Sequence, residues 1–125
     1  MKKHLVLTIA IFNLLACSSD NEKNLDIAVG SWYLFSENNK EVSTCENKNT
    51  LVFNENGTFS ETYYSVHTNN DCISDDGIEG NWSNKGDGSY GFTSYKTDEV
   101  VVTIIFSDNN NTLTFTQENA VYKRK

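Results

Sequence analysis

The chain has 125 residues, no proline, three cysteines and two histidines, and its seventeen Asp and Glu outweigh ten Lys and Arg to give a net charge of −7. That length suits one domain of modest core and is too short for two. The acidic balance, with no basic cluster beyond the first four residues except Lys123-Arg124-Lys125, argues against nucleic acid as a partner and against electrostatic docking on anionic lipid.

The first sixteen residues fall into three parts: cationic Lys2, Lys3 and His4, an apolar run from Leu5 to Leu15 broken by Asn13, and Ala16 before Cys17. This is the order of a secretion signal. The run is shorter than the ~20 residues that cross a bilayer as a helix, so it is not expected to persist as an anchor. Leu14-Leu15-Ala16-Cys17 resembles the lipobox of bacterial lipoproteins, with Leu15 standing where smaller residues are commoner. The resemblance implies that residues 1–16 are removed, that diacylglycerol is joined to the Cys17 thiol, and that the new amino terminus is acylated by a chain such as palmitate. Several acyl chains on one residue anchor a protein stably to a membrane, where one chain does so only marginally. The mature chain would then have 109 residues, with eight basic against seventeen acidic side chains and a net charge of −9.

Residues 17–28 read as the lipidated cysteine and a flexible tether, because this stretch is too poor in apolar side chains to order itself. Ser18, Ser19, Asp20 and Glu22 resemble the acidic export signals that send some lipoproteins of Bacteroidota-type bacteria to the outer face of the outer membrane; a merely soluble linker has the same composition. The expected location is the cell envelope, at the outer membrane, on its periplasmic or its surface face. Lipidation of Cys17 leaves Cys45 and Cys72 as a pair in an oxidising place, where they are expected to form a disulfide. Closing a loop of about 28 residues stabilises a fold by about 3.5 kcal/mol on the chain-entropy model. The separations of Cys45, Cys72 and His67 match no compact metal-ligand spacing.

Beyond the tether, β-branched and aromatic residues alternate with polar ones between clusters of Asn, Gly and Asp, and no helical period is sustained. The pattern predicts an all-β, antiparallel domain over 29–125. Strands are expected at 30–36, 50–54, 58–64, 79–83, 89–95, 99–107, 112–117 and 120–123. Asn54–Gly57, Lys85–Gly88 and Ser107–Asn111 supply the residues that tolerate positive φ in tight hairpins. Val100 to Phe106 is apolar on both faces, which predicts a strand covered on both sides or lying under the amino-terminal segment.

Gly30-Ser31-Trp32 resembles the Gly-x-Trp signature of lipocalins, in which the tryptophan closes one end of an eight-stranded barrel. The pattern continues through Leu51-Val52-Phe53, Asn56-Gly57-Thr58-Phe59, a second Gly-x-Trp at Gly80 and Trp82, the Phe106-Ser107-Asp108-Asn109 run and Tyr122-Lys123. Residues 30–123 are thereby similar to the small lipocalin-like lipoproteins of Bacteroidota-type bacteria. The resemblance implies an eight-stranded up-and-down barrel, closed or opened into a sandwich. It also makes Arg124, the single arginine, the candidate to stack on the tryptophan.

Such a barrel is just wide enough to be filled by its own side chains or to hold one small ligand. The candidate lining is Trp32, Phe53, Phe59, Tyr63, Tyr90, Phe92, Phe106 and Phe115, together with Glu61, which alternation puts on the same face as Phe59 and Tyr63. Tyr64 is expected to face outward. Asp71, Asp75, Asp76 and Glu79 crowd a segment expected to be a loop; oxygen ligands at that density could hold calcium, but the spacing is not that of an EF-hand and a solvated acidic loop is the simpler expectation. No nucleophile motif, phosphate loop or converging carboxylate pair is present, so no enzyme activity, cofactor or metal is expected. The first expectation is a monomeric binding protein for a small, largely apolar ligand. The alternative is an interaction or structural module whose loops bind an envelope protein or a glycan.

Overall fold

The computed structural model describes residues 24–95 and 97–125; the signal segment, Cys17 and most of the tether lie outside the described residues. Among the described residues nine strands follow in chain order: β1 (Gly30–Glu37), β2 (Lys40–Glu41), β3 (Thr50–Phe53), β4 (Thr58–Val66), β5 (Cys72–Gly86), β6 (Ser89–Ser94), β7 (Thr97–Ser107), β8 (Thr112–Phe115) and β9 (Ala120–Arg124). The two residues of β2 form a short rung on β1. The other eight pair antiparallel with their neighbours in sequence, and β1 pairs with β9 to close the ring. The result is a closed, eight-stranded, up-and-down barrel, the arrangement that the lipocalin resemblance implies.

The turns follow from side chains that accept left-handed backbone. Asp87 and Gly88, at φ 53° and 79°, make the two-residue connection of β5 to β6, and Asn38 and Asn39, at 50° and 66°, do the same between β1 and β2. Three successive left-handed residues, Asp108, Asn109 and Asn110, turn β7 into β8. A β-branched or bulky residue there would push its Cβ against the following carbonyl, whereas Asn and Asp tolerate the region.

The acidic segment departs from expectation. Asp75, Asp76 and Glu79 are not in a loop: β5 begins at Cys72, and only residues 67–71, including a 3-10 turn over Thr68–Asn70, connect it to β4. The β4–β5 ladder runs past the barrel wall, where both faces are wet, so no apolar alternation marks it in the sequence. With Asp71 in the connection and Asp75, Asp76 and Glu79 spread along β5, the four do not converge, and no group of three potential metal ligands occurs among the described residues. Asp76 and Gly77 form a bulge opposite Thr62, and a Cβ on Gly77 would collide with the Glu61 carbonyl. Strand β7 departs too. Its outward residues Val101 and Ile105 are 49% and 54% exposed, so it is covered on its inner face only.

The amino-terminal segment instead crosses the barrel end formed by the β3–β4, β5–β6 and β7–β8 turns. Trp32, fully buried, donates its indole N–H to the Ala28 carbonyl at 2.8 Å. Asp26 accepts from the Tyr90 hydroxyl at 2.9 Å, from the Asn84 amide at 2.7 Å and from the Ala28 N–H at 2.8 Å. Arg124, the register partner of Trp32, lays its guanidinium 4.1 Å from the indole centroid and donates to the carbonyls of Val29, Ile27 and Asn110. This end is sealed.

At the other end, Cys45 at the start of the 3-10 turn Glu46–Lys48 is bonded to Cys72, with Cα atoms 5.5 Å apart. The bridge ties the β2–β3 connection to the protruding β4–β5 hairpin, and the Asn49 side chain, accepting the Tyr64 N–H at 2.6 Å, adds a second tie. Replacing both cysteines by serine is expected to lower the unfolding free energy by about 3.5 kcal/mol, because a loop closed across 27 positions is released in the unfolded chain. Equilibrium urea denaturation measures it; a loss under about 1 kcal/mol would show that loop closure is not what the bridge contributes.

Candidate functional site

The inward side chains, two residues apart along each strand, form two layers. The lower layer, over the sealed end, holds Trp32, Phe53, Trp82, Tyr90, Phe106 and Leu113. Its rings interlock: Phe53 meets Trp82 edge-on at 5.3 Å, Tyr90 meets Phe106 at 6.1 Å, and Trp32 meets Phe106 at 6.0 Å. Edge-to-face pairs of this kind contribute about 0.5–1.5 kcal/mol each beyond their buried area. This half of the interior is packed solid.

The upper half is not. Phe92 sits between the layers, touching Phe53 below at 5.7 Å and Phe59 and Phe115 above at 5.1 and 6.3 Å. It forms the floor of a cavity of about 370 Å³ that opens between the β6–β7 and β8–β9 turns. Leu51, Phe59, Ile78, Phe92, Val100, Val102 and Phe115 make its apolar wall; Thr93, Ser94 and Thr97 bring hydroxyls, and Glu61, Tyr63, Glu118 and Tyr122 complete it. The volume lies in the range of small-molecule sites, as does the pattern of an apolar wall with few polar groups.

Glu61 is the charged group set deepest in this wall. Its Oε1 accepts from the Tyr122 hydroxyl at 3.3 Å, and Tyr63 also supports it by hydrogen bonding. Burial raises its pKa above the usual 4.5, the two tyrosines oppose that rise, and the Glu118 charge adds to it. The tyrosines respond in turn: burial and the Glu61 charge push both hydroxyls well above the ordinary phenol range. Outside the cavity, on the protruding hairpin, Asp75 accepts from Ser65 at 2.6 Å and contacts His67 at 3.2 Å, and the Ser65 bond first of all holds its carboxyl below the usual value.

Of the residues expected to line a pocket, Phe59, Glu61, Tyr63, Phe92 and Phe115 do so. Trp32, Phe53, Tyr90 and Phe106 lie in the packed layer beneath. Periodicity puts all nine on the inner face but carries no information on height along the barrel. Leu51, Ile78, Val100, Val102 and Tyr122 are further lining residues, and each was accessible to the same period-two argument: Tyr122, for example, lies two residues before Arg124 on a strand whose inner face is then Ala120, Tyr122 and Arg124. Glu118 had no such signal, since it belongs to a turn. Tyr64 faces outward, beside Tyr33, Lys48 and Lys125.

A closed eight-stranded barrel, sealed at one end by a tryptophan under an arginine and hollow at the other, is a lipocalin-type barrel. The family model for the lipocalin-like domain matches residues 29–121, and the chain belongs to that family. No curated protein and no solved structure gives a match to the chain. A barrel of this family suits ligand binding in general.

Glu61 also sets a pH dependence. The unfolded chain releases this proton near the usual 4.5 and the folded barrel releases it later, so the stability it contributes is full below that value and is lost as pH rises through the raised one. Glu61→Gln is therefore expected to raise the thermal midpoint at pH 7.5, with the advantage shrinking towards pH 4. A variant less stable than the parent at both values would show that the tyrosine hydrogen bonds outweigh desolvation.

Proposed function

We propose that this chain is a lipid-anchored, non-enzymatic binding protein of the bacterial cell envelope that captures one small, largely apolar molecule in the upper half of its barrel. The observation that carries the proposal is the division of the interior: the lower aromatic layer is full, while above Phe92 a cavity of about 370 Å³ remains, walled by aromatic and aliphatic side chains. A barrel needing only to support its loops would gain stability by filling that space. The protein acts as a monomer, anchored through Cys17 at the outer membrane. The signal-like start, the Leu14–Cys17 motif and the Cys45–Cys72 bridge support an exported, lipidated chain. The described chain joins the barrel at its sealed end, so a tether from Cys17 leaves the mouth at the end away from its attachment.

A second reading, loops or an outer face that bind an envelope protein or a glycan, draws on one feature. An outer groove is flanked by Tyr33 and Tyr64 with Lys48 and Lys125 at its edge, and aromatic faces of this kind suit sugar rings or peptide.

Two measurements test the first reading. Native mass spectrometry of protein extracted gently from its own envelope should show a bound small mass, and Val102→Trp, which puts an indole into the cavity, should abolish it while near-ultraviolet circular dichroism stays that of a folded barrel. A ligand retained in the filled variant would place binding elsewhere. Cys17→Ala should remove the acyl mass and shift the protein from the membrane to the soluble fraction; continued membrane association would count against the anchor.

A further inference from the structure

We propose that the captured molecule is an organic amine, an apolar body bearing a protonated nitrogen that is held against Glu61 and the rings around it. The inference rests on the capture reading above and names the chemistry of the same cavity.

The wall offers charge of one sign only. Glu61 lies in it and Glu118 at its rim, and none of the described residues lining it is Lys, Arg or His. Lys123 is turned outward, its ammonium 3.8 Å from the Phe35 centroid, and Lys85 pairs with Glu99 at 2.8 Å outside the barrel. A ligand carboxylate or phosphate would thus bring its charge against a half-buried carboxylate with no lining cation to offset either, an arrangement that costs more than it returns.

Glu61 also has capacity to spare. A carboxylate offers about four lone-pair sites, and among the described residues the partners of Glu61 are the hydroxyls of Tyr122 and Tyr63. Both tyrosines are themselves in the wall, with Phe59 and Phe115 beside them. Phe115 stands edge-on to Tyr122 at 5.6 Å. A carboxylate ringed by aromatic groups in a partly dehydrated cavity is what an alkylammonium group needs: an ion pair on one side and electron-rich faces on the others. The apolar wall from Leu51 to Val102 and the Phe92 floor take the rest of the molecule. The net charge of −7 adds long-range attraction for a cation approaching the mouth.

The test uses three soluble probes with one carbon skeleton, 3-phenylpropylamine, 3-phenylpropan-1-ol and 3-phenylpropanoate. They are titrated at pH 7.5 into the full-length protein in lipid nanodiscs, with tryptophan fluorescence and calorimetry as readouts. The amine should bind about ten-fold or more tightly than the alcohol, and the alcohol more tightly than the carboxylate. Glu61→Gln should remove most of the preference for the amine, so that amine and alcohol bind within about two-fold of each other, and Glu118→Gln should weaken amine binding less. Val102→Trp should abolish binding of both. Equal affinity for the three probes, or an amine preference that survives Glu61→Gln, would overturn the amine assignment and leave the capture reading standing. If no probe bound at up to about 10 mM, the cavity reading itself would fall, and the assignment with it.

Discussion

Everything in this barrel depends on how one end is stopped. Closure of an antiparallel ring leaves two open ends, and here the β1–β9 seam sets Trp32 directly opposite Arg124 on the inner face. The indole fills the axis and the guanidinium covers it. The same guanidinium then binds carbonyls of the amino-terminal segment and of the β7–β8 turn, so that seam, plug and turn are held by one side chain. Arginine suits this place because its planar group stacks on a ring while its N–H groups reach several acceptors at once.

A stopped end gives the interior a direction. Large rings crowd the side of the plug, where Phe53, Trp82, Tyr90 and Phe106 pack with Trp32, and by the level of Phe92 the supply of bulk has run down. Higher still, the bulge at Asp76 and Gly77 displaces β5 relative to β4, and Ala120 adds little volume on β9. The cavity lies where the packing thins, and it opens only upward. The two tryptophans share a device at the closed end: each donates its indole N–H to a backbone carbonyl, Trp32 to Ala28 in the buried plug and Trp82 to Asn54 at the surface.

Two linked polar sets stand in the cavity: Glu61 with Tyr122 and Tyr63, and Ser94 with Thr97. Glu61 would be costly in a dry wall if it stood alone, and the tyrosines on either side lower that cost without satisfying it fully. A site of this kind trades some folding stability for a directional contact with whatever enters. The disulfide works at the same end, tying the protruding β4–β5 hairpin, whose wet faces have no core to hold them, to the connection between β2 and β3.

The residue order alone determined a good deal. Alternation identified all eight barrel strands, and all but β5 nearly to their ends, because each has one face against apolar neighbours and the other against water. Asn, Asp and Gly clusters located the hairpins, because few other residues accept left-handed backbone. Cys45 and Cys72 were expected to pair once the lipobox resemblance gave Cys17 another role, and the lipocalin resemblance made Arg124 the candidate to stack on Trp32. Tertiary structure decided what local pattern cannot carry. The first half of β5 pairs beyond the barrel wall with polar residues on both faces, so its strand character comes from the ladder and leaves no mark in hydropathy. The outward apolar residues of β7 lie exposed, since periodicity says which side chains share a face but not what covers it. The height of each inner residue along the barrel, which separates the filled layer of Trp32, Phe53, Tyr90 and Phe106 from the cavity around Phe59, Glu61 and Tyr122, follows from register between strands distant in sequence. That register is fixed by closure of the ring.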